Sequence, residues 1–262
     1  MSMTNLESVL SQPCRMGTQS IGQMFDRVAP GYDILNHILS FGCDFLWRRK
    51  LADCLEPGRK LRVLDMATGT GDVLISMLCK NPDITEAVGL DISENMLALC
   101  RKKIAKYKFY DCVHMVHADV TASSFTSESF DVVTISFGIR NTADPAQTLA
   151  EIFRLLSPGG TALILEFAMP TNKILRFCHR LYLHTFVPLI GHLLSGDISA
   201  YRYLSTSIEN FTITKDIPQL LFEAGFSNVR ITPLTFGAAC LYQCSRSLSV
   251  SSQLFFKDRT ET

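Results

Sequence analysis

The chain has 262 residues, 25 of them basic and 25 acidic, and 47% are hydrophobic. That length suits one sizeable α/β domain with an insertion and is short for two. Balanced charge argues against a nucleic-acid substrate, which normally asks for a clustered basic face. The nine scattered cysteines include no CxxC pair, so they read as reduced thiols rather than a disulfide framework or a metal site.

Residues 1–19 lack a cationic start ahead of an apolar run and are expected to be a flexible leader. Residues 20–58 are rich in aromatic and apolar side chains and read as an N-terminal helical cap. A regular alternation then begins. "LRVLDMA" is a strand signal, "TGTGD" a turn, and "VLISMLCK" a helix. "EAVGLDI" gives a second strand, and "SENMLALCRKKIAKY" a helix that Ser93 can cap. "VHMVHADV" and "FDVVTISFG" supply strands three and four. "PAQTLAEIFRLL" is an amphipathic helix stopped by the turn "SPGG", and "TALILEFA" is the fifth strand. An insertion at 168–210 interrupts the rhythm before the helix "DIPQLLFEAGF" and two further strands, "SNVRITPL" and "GAACLYQC", expected as an antiparallel pair. The domain is placed at 20–245, with a disordered tail at 246–262. The alternation predicts a mostly parallel seven-stranded, Rossmann-like sheet covered on both faces.

Such sheets bind ligands at the carboxyl ends of their strands. The first such end is "DMATGTGD", where Gly69 and Gly71 allow close backbone approach and a sharp turn. Asp91 ends the second strand about twenty residues later, where a carboxylate can hold a ribose. The third position of a dinucleotide fingerprint is Leu74 rather than glycine, and Asp65 and Asp72 would repel phosphates. Carboxylates suit a cation instead, such as the sulfonium and amino group of S-adenosylmethionine. Asp119 then falls where the adenine would lie. The fold class expected is therefore a class I S-adenosylmethionine-dependent methyltransferase. Strand four ends in "SFGIRN" rather than the motif of DNA amino-methyltransferases.

"YDILNHILSFGCDFLW" (32–47), "SFGIRN" (136–141), "RLLSPGGTALILEF" (154–167) and "YRYLSTSI" (201–208) occur in that order. In these blocks the chain resembles the menaquinone and ubiquinone biosynthesis C-methyltransferase family, from about residue 20 to about 244. The resemblance implies C-methylation of a polyprenylated quinol ring, demethylmenaquinol or a 2-polyprenyl-6-methoxy-1,4-benzoquinol. It places cofactor contacts at Thr70, Asp91, Asp119, Val120 and Ser136, and the acceptor at Arg140 and Asn141. Tyr32, Asn36, Trp47 and Tyr201 are candidate walls of the ring pocket. The family's usual histidine three residues before the tryptophan is Asp44 here, and the acidic residue after "YRYL" is replaced by the run Ser205 to Ser207.

The physical reading agrees with that chemistry. Methylating a ring carbon needs a phenolate, and a guanidinium at the strand end can meet the developing oxyanion without losing a proton. Arg140 is no direct base, because a guanidinium keeps its proton in proteins. A simple ion pair from Arg140 to Asp144 is the competing structural reading. The stretch 174–194 is apolar but broken by arginines, histidines and Pro188, too polar to span a membrane comfortably. It reads as a helical lid over a prenyl tail or as a transient contact with the membrane surface, and the competing structural reading is an ordinary buried helix pair or a homodimer interface. The expected location is cytoplasmic, peripheral at the inner face of the membrane. Two alternatives are a methyltransferase of sterols or other small lipids and a non-catalytic subunit of a quinone-biosynthesis complex.

Overall fold

The computed structural model describes residues 18–107, 111–195 and 198–248. The rest of the expected leader and tail lies outside them. Three helices come first: α1 (Thr18–Val28), α2 (Tyr32–Leu39) and α3 (Cys43–Ala52). The sheet follows as β1 (Leu61–Met66), β2 (Ile84–Asp91), β3 (Val113–His117), β4 (Phe130–Ser136), β5 (Leu156–Phe167), β6 (Ser227–Leu234) and β7 (Ala239–Ser245). Its order is β3-β2-β1-β4-β5-β7-β6, with β1 to β5 parallel and β7 antiparallel to both β5 and β6. This is the expected fold.

Helices α4 (Asp72–Lys80), α5 (Glu94–Tyr107) and α6 (Pro145–Leu155) make the crossovers. Ser93 Oγ accepts the Met96 N–H at 3.2 Å, so α5 begins where the capping signal placed it. Val63, Leu163 and Leu165 face one core, shared with Leu74, Met77 and Cys100. Leu64, Val133, Ile135 and Ile164 face the other, shared with Leu149, Ile152 and Leu221. Central parallel strands buried on both faces explain their unbroken apolar runs.

The strand order reverses between β1 and β4, so the carboxyl ends of those neighbours open into a crevice. Helices α1 to α3 cover that crevice from one side. From the other comes the insertion, α7 (Lys173–Leu181), a π turn over Tyr182–Phe186, α8 (Val187–Ser195) and α9 (Ile198–Thr214). Leu35, Leu183, Val187, Tyr201 and Ile208 form a small third core that joins cap to insertion. Helix α10 (Ile217–Glu223) closes the domain side. Pro188 has no N–H to offer the preceding turn, and the helix absorbs the gap in its π turn.

Three local expectations need correction. "SPGG" is not a turn that stops the chain: β5 runs through it, with a register shift opposite Phe130 to Val132. Gly159 adopts φ +79°, and a Cβ on Gly160 would lie 2.8 Å from the Ser157 carbonyl oxygen. The glycines serve a bulge. Strand β3 ends at His117, which leaves Asp119 and Val120 in the following loop. Arg246, where the tail was placed to begin, gives Nη1 to the carbonyls of Phe153 and Leu156 and is bound into the domain.

Candidate active site

Two connected cavities lie over the carboxyl ends of β1, β2 and β4. The smaller, about 80 Å³, is lined by Gly69, Asp91, Met96, Asp119, Val120 and Ser136, among others. The larger, about 380 Å³, takes in Tyr32, Asn36, Trp47, Arg140, Asn141 and Tyr201. Ala67, Gly69, Ser136, Phe137 and Asn141 border both. Five candidate cofactor residues, Gly69, Asp91, Asp119, Val120 and Ser136, thus line the smaller chamber, and all the candidate acceptor residues line the larger, with Tyr32 and Asn141 shared. Thr70 borders the larger.

Asp65 and Gly71 border neither. Asp65 is buried behind the turn, accepting from Thr68 Oγ1 at 2.7 Å and Thr134 Oγ1 at 2.5 Å. Gly71 precedes α4 at φ +84°, and a Cβ there would meet Cys100 Sγ at 2.2 Å. Its role is to let α4 and α5 approach behind the glycine turn.

Asp91 receives the Gly69 N–H at 2.7 Å and the Ser93 N–H at 2.9 Å. Burial nevertheless raises its pKa, and burial pushes Asp65 up to about 6 despite its two hydroxyl donors. The nearby Asp91 carboxylate adds to the rise at Asp65. A cation entering the small chamber would relieve Asp91, which borders it, so the lining fits a sulfonium-bearing cofactor. Asp72 is different: Lys103 pairs with its Oδ1 at 2.5 Å and Arg48 with its Oδ2 at 3.1 Å.

The Asp65 shift has a consequence for the ligand-free protein. Its folded pKa lies above the unfolded value of 3.8, so between about pH 4 and 6 the folded state holds a proton that the unfolded state has released. Stability then falls as pH rises through that window, by on the order of 3 kcal/mol. Urea unfolding of wild type and Asp65→Asn across pH 4 to 7 reads it directly. The wild type should lose that amount relative to the variant, and a constant difference would contradict the burial argument.

The cap is held on the glycine turn by charge. Lys103 of α5 reaches Asp33 of α2 at 2.6 Å and Thr70 Oγ1 at 2.9 Å, and Thr70 donates to Asp33 at 2.6 Å. Arg48 bridges Asp72 to Asp44 (2.7 Å), which also takes Ser40 Oγ and His37 Nδ1. These partners lower the pKa of Asp44 against its burial. Asp44 is thus held as an anion by Arg48, Ser40 and His37 at the wall of the larger cavity.

Phe137, next to Ser136 at the end of β4, takes φ +56°, a costly value for a phenylalanine. That turn aims its carbonyl at Arg140 Nη1, 2.5 Å away. Arg140 Nη1 also reaches Glu166 Oε1 at 2.7 Å, near the end of β5. The guanidinium stacks over Phe167, with its Cζ 5.1 Å from the ring centre. The expected alternative partner, Asp144, instead caps α6 by accepting from Ala146 and Gln147. Asn141 Oδ1 accepts from Tyr203 at 3.2 Å. Trp47 donates to Thr235 at 2.8 Å, tilts against Phe137 and meets Phe167 edge-on, so it is both wall and core. Tyr32 is hydrogen-bonded to Asn36, and burial raises its pKa.

Among the described residues, the buried side-chain polar atoms without a hydrogen-bond partner are Ser136 Oγ, Arg140 Nε, His179 Nε2 and Asp72 Oδ2, the last of them still ion-paired to Arg48 at 3.1 Å. All four residues line the larger cavity. Buried groups are rarely left so, because each costs about 1–3 kcal/mol. Their clustering marks a place built for a ligand. Glu166, Lys103, Arg48 and His179 are not marked by the sequence: the first three act through partners distant in the chain, and nothing in the sequence around His179 announces the chamber that it lines.

The ubiE/COQ5 methyltransferase family matches residues 14–246. The chain is 40% identical over 230 residues to the ubiquinone/menaquinone biosynthesis C-methyltransferase UbiE of Geobacter sulfurreducens, covering 88% of this chain and 90% of that one. It is 41% identical over 219 residues to the demethylmenaquinone methyltransferase of Thermus thermophilus, covering 84% and 98%. In fold it resembles an S-adenosylmethionine-dependent methyltransferase of Methanococcus maripaludis, with a TM-score of 0.58 and 20% identity over 86% of this chain and 94% of that one. The [4+2]-cyclase SpnF superposes with a TM-score of 0.60 at 13% identity, over 88% and 97%, so the fold alone does not specify the reaction. A sheet with its strand-end crevice, paired chambers and sequence identity over nearly the whole domain lead to one assignment: the chain belongs to the ubiE/COQ5 methyltransferase family.

Proposed function

We propose that this protein transfers a methyl group from S-adenosylmethionine to a ring carbon of a polyprenylated quinol, demethylmenaquinol first and a demethylated benzoquinol second. The carrying observation is the acceptor chamber, where aromatic walls meet an arginine whose Nε–H has no partner. Asp91, Asp119, Val120 and the glycine turn would hold the cofactor, which supplies an electrophilic methyl group when bound. The chain itself must place the acceptor ring against that chamber and favour its phenolate.

Arg140 does this as a fixed donor. Glu166 balances its charge and holds the guanidinium in one orientation, so the contribution is a directed N–H rather than a net positive field. Glu166 and the aromatic trio beside it resemble the acidic, aromatic surroundings a sterol enzyme would need for a carbocation. That carboxylate is already committed to Arg140, which favours the quinol. The paired chambers likewise favour catalysis over a non-catalytic subunit.

No helix among the described residues is long and apolar enough to cross a membrane. Ile174, Phe177 and Leu181 on α7 and Phe41 in the turn between α2 and α3 are exposed, with Lys173 and Arg176 nearby in sequence. Phe41 touches Tyr182, and both line the acceptor chamber. This surface would meet the membrane where the substrate's tail resides, at its inner face.

The test is a methyl-transfer assay offering demethylmenaquinol and the benzoquinol side by side. Turnover of demethylmenaquinol is expected. Tight cofactor binding without turnover of either quinol would overturn the acceptor.

A further inference from the structure

We propose that His179, on the insertion helix α7, is the base that takes the proton from the quinol hydroxyl. The inference rests on the quinol reading above and adds a residue to it. His179 lines the acceptor chamber, and its Nε2 is sealed from solvent without a hydrogen-bond partner.

The other proton acceptors around the chamber are occupied or unsuited. Asp44 is held by Arg48, Ser40 and His37. Asp72 is paired with Lys103 and Arg48. Arg140 is a permanent cation bonded to Glu166. The hydroxyls of Tyr32 and Tyr182 have pKa values raised by burial and keep their protons. Tyr203 donates to Asn141, and Tyr201 packs against Gly191. On α7 itself, Arg176 bonds the Pro170 and Thr171 carbonyls, and Arg180 pairs with Glu209, which also takes His184. None of these engages His179 Nε2.

Burial alone lowers the pKa of His179, so the ring is neutral and able to accept a proton at neutral pH. In the step, the phenolic O–H bond breaks with its electron pair left on oxygen, and an N–H bond forms at Nε2. Once the ring carbon bears its new substituent, its hydrogen leaves to water as a proton. The imidazolium then returns its own proton to the ring oxygen, and one proton is released per turnover. Placing the base on the insertion would couple proton removal to a covered substrate.

His179→Gln should lower kcat on demethylmenaquinol by about 10²-fold or more while cofactor affinity, which shows that the variant is folded, is kept. The wild-type kcat/KM should fall on the acid side with a midpoint below the ordinary imidazole value, and that limb should vanish in the variant. Cys178→Ser, an exposed neighbour on the same helix, should retain activity. Without cofactor, the NMR titration of the His179 ring should move on adding 1-naphthol and stay put with naphthalene. Full kcat in His179→Gln, or a titration blind to 1-naphthol, overturns the assignment and leaves the reaction standing. No turnover of any quinol by wild type overturns the reaction, and the assignment with it.

Discussion

Arg140→Ala is expected to lose methyl transfer by 10³-fold or more and to unfold more easily, and the two losses have separate causes. Arg140 and Glu166 form a pair with side chains only 6% and 1% exposed. Removing the cation leaves Glu166 charged and buried, which costs about 3–5 kcal/mol. Glu166 also accepts the backbone N–H groups of Arg140 and Phe167, so its carboxylate cannot simply turn away. The double variant Arg140→Ala/Glu166→Gln removes the stranded charge and should recover most of the melting temperature. It should not recover activity, because the chamber still lacks the donor. Recovery of both together would make Arg140 a structural residue, and the proposed role at the quinol oxygen would fall. A directed donor to a developing oxyanion accounts for about 10²–10³ by itself, and misplacement of the ring adds to it.

The second large effect belongs to Asp91. Its carboxylate is the buried anion bordering the small chamber, and each hydrogen bond to a charged group is worth about 1.5–3 kcal/mol. Two bonds to a ribose would make Asp91→Ala lose cofactor affinity by about 10²-fold or more. The ligand-free fold should suffer less. Burial already raises the pKa of Asp91, which means that its charge is held at a cost. Truncation removes that cost while stranding the Gly69 and Ser93 N–H groups. Calorimetric titration with S-adenosylmethionine, beside a thermal melt of the ligand-free variant, separates the two effects. An affinity within threefold of wild type would place the ribose elsewhere.

Local signals carried much of this architecture. Apolar runs bounded by Gly69, Asp91 and Ser136 identify strands because parallel strands covered on both faces have no polar side to show. Ser93 and Gly71 mark helix starts through capping and backbone freedom, which depend on near neighbours. "SPGG" misled for the same reason, since a bulge and a turn use the same residues and only the pairing with β4 distinguishes them. The lining of the two chambers was legible where it follows strand ends, at Asp91, Asp119, Ser136 and Arg140. It was not legible where charge is balanced across the chain. Glu166 lies 26 residues from Arg140, and nothing near either announces the pair. Lys103 sits on the helix after β2 yet clamps Asp33 of the cap, a contact set by how α2 and α5 meet at the glycine turn. His179 reads in sequence as one more polar break in an apolar helix, and only the chamber beneath α7 gives it a role.

The central claim is that methyl transfer goes to carbon, on a quinol ring made nucleophilic by loss of a phenolic proton. Its most direct test is the side-by-side quinol reaction run with 13C-methyl-labelled S-adenosylmethionine and read by NMR. The account predicts a label at the shift of a methyl group on the aromatic ring carbon of menaquinol. A label at the shift of a methoxy group would contradict it, since the oxygen that Arg140 is argued to hold would then be the nucleophile.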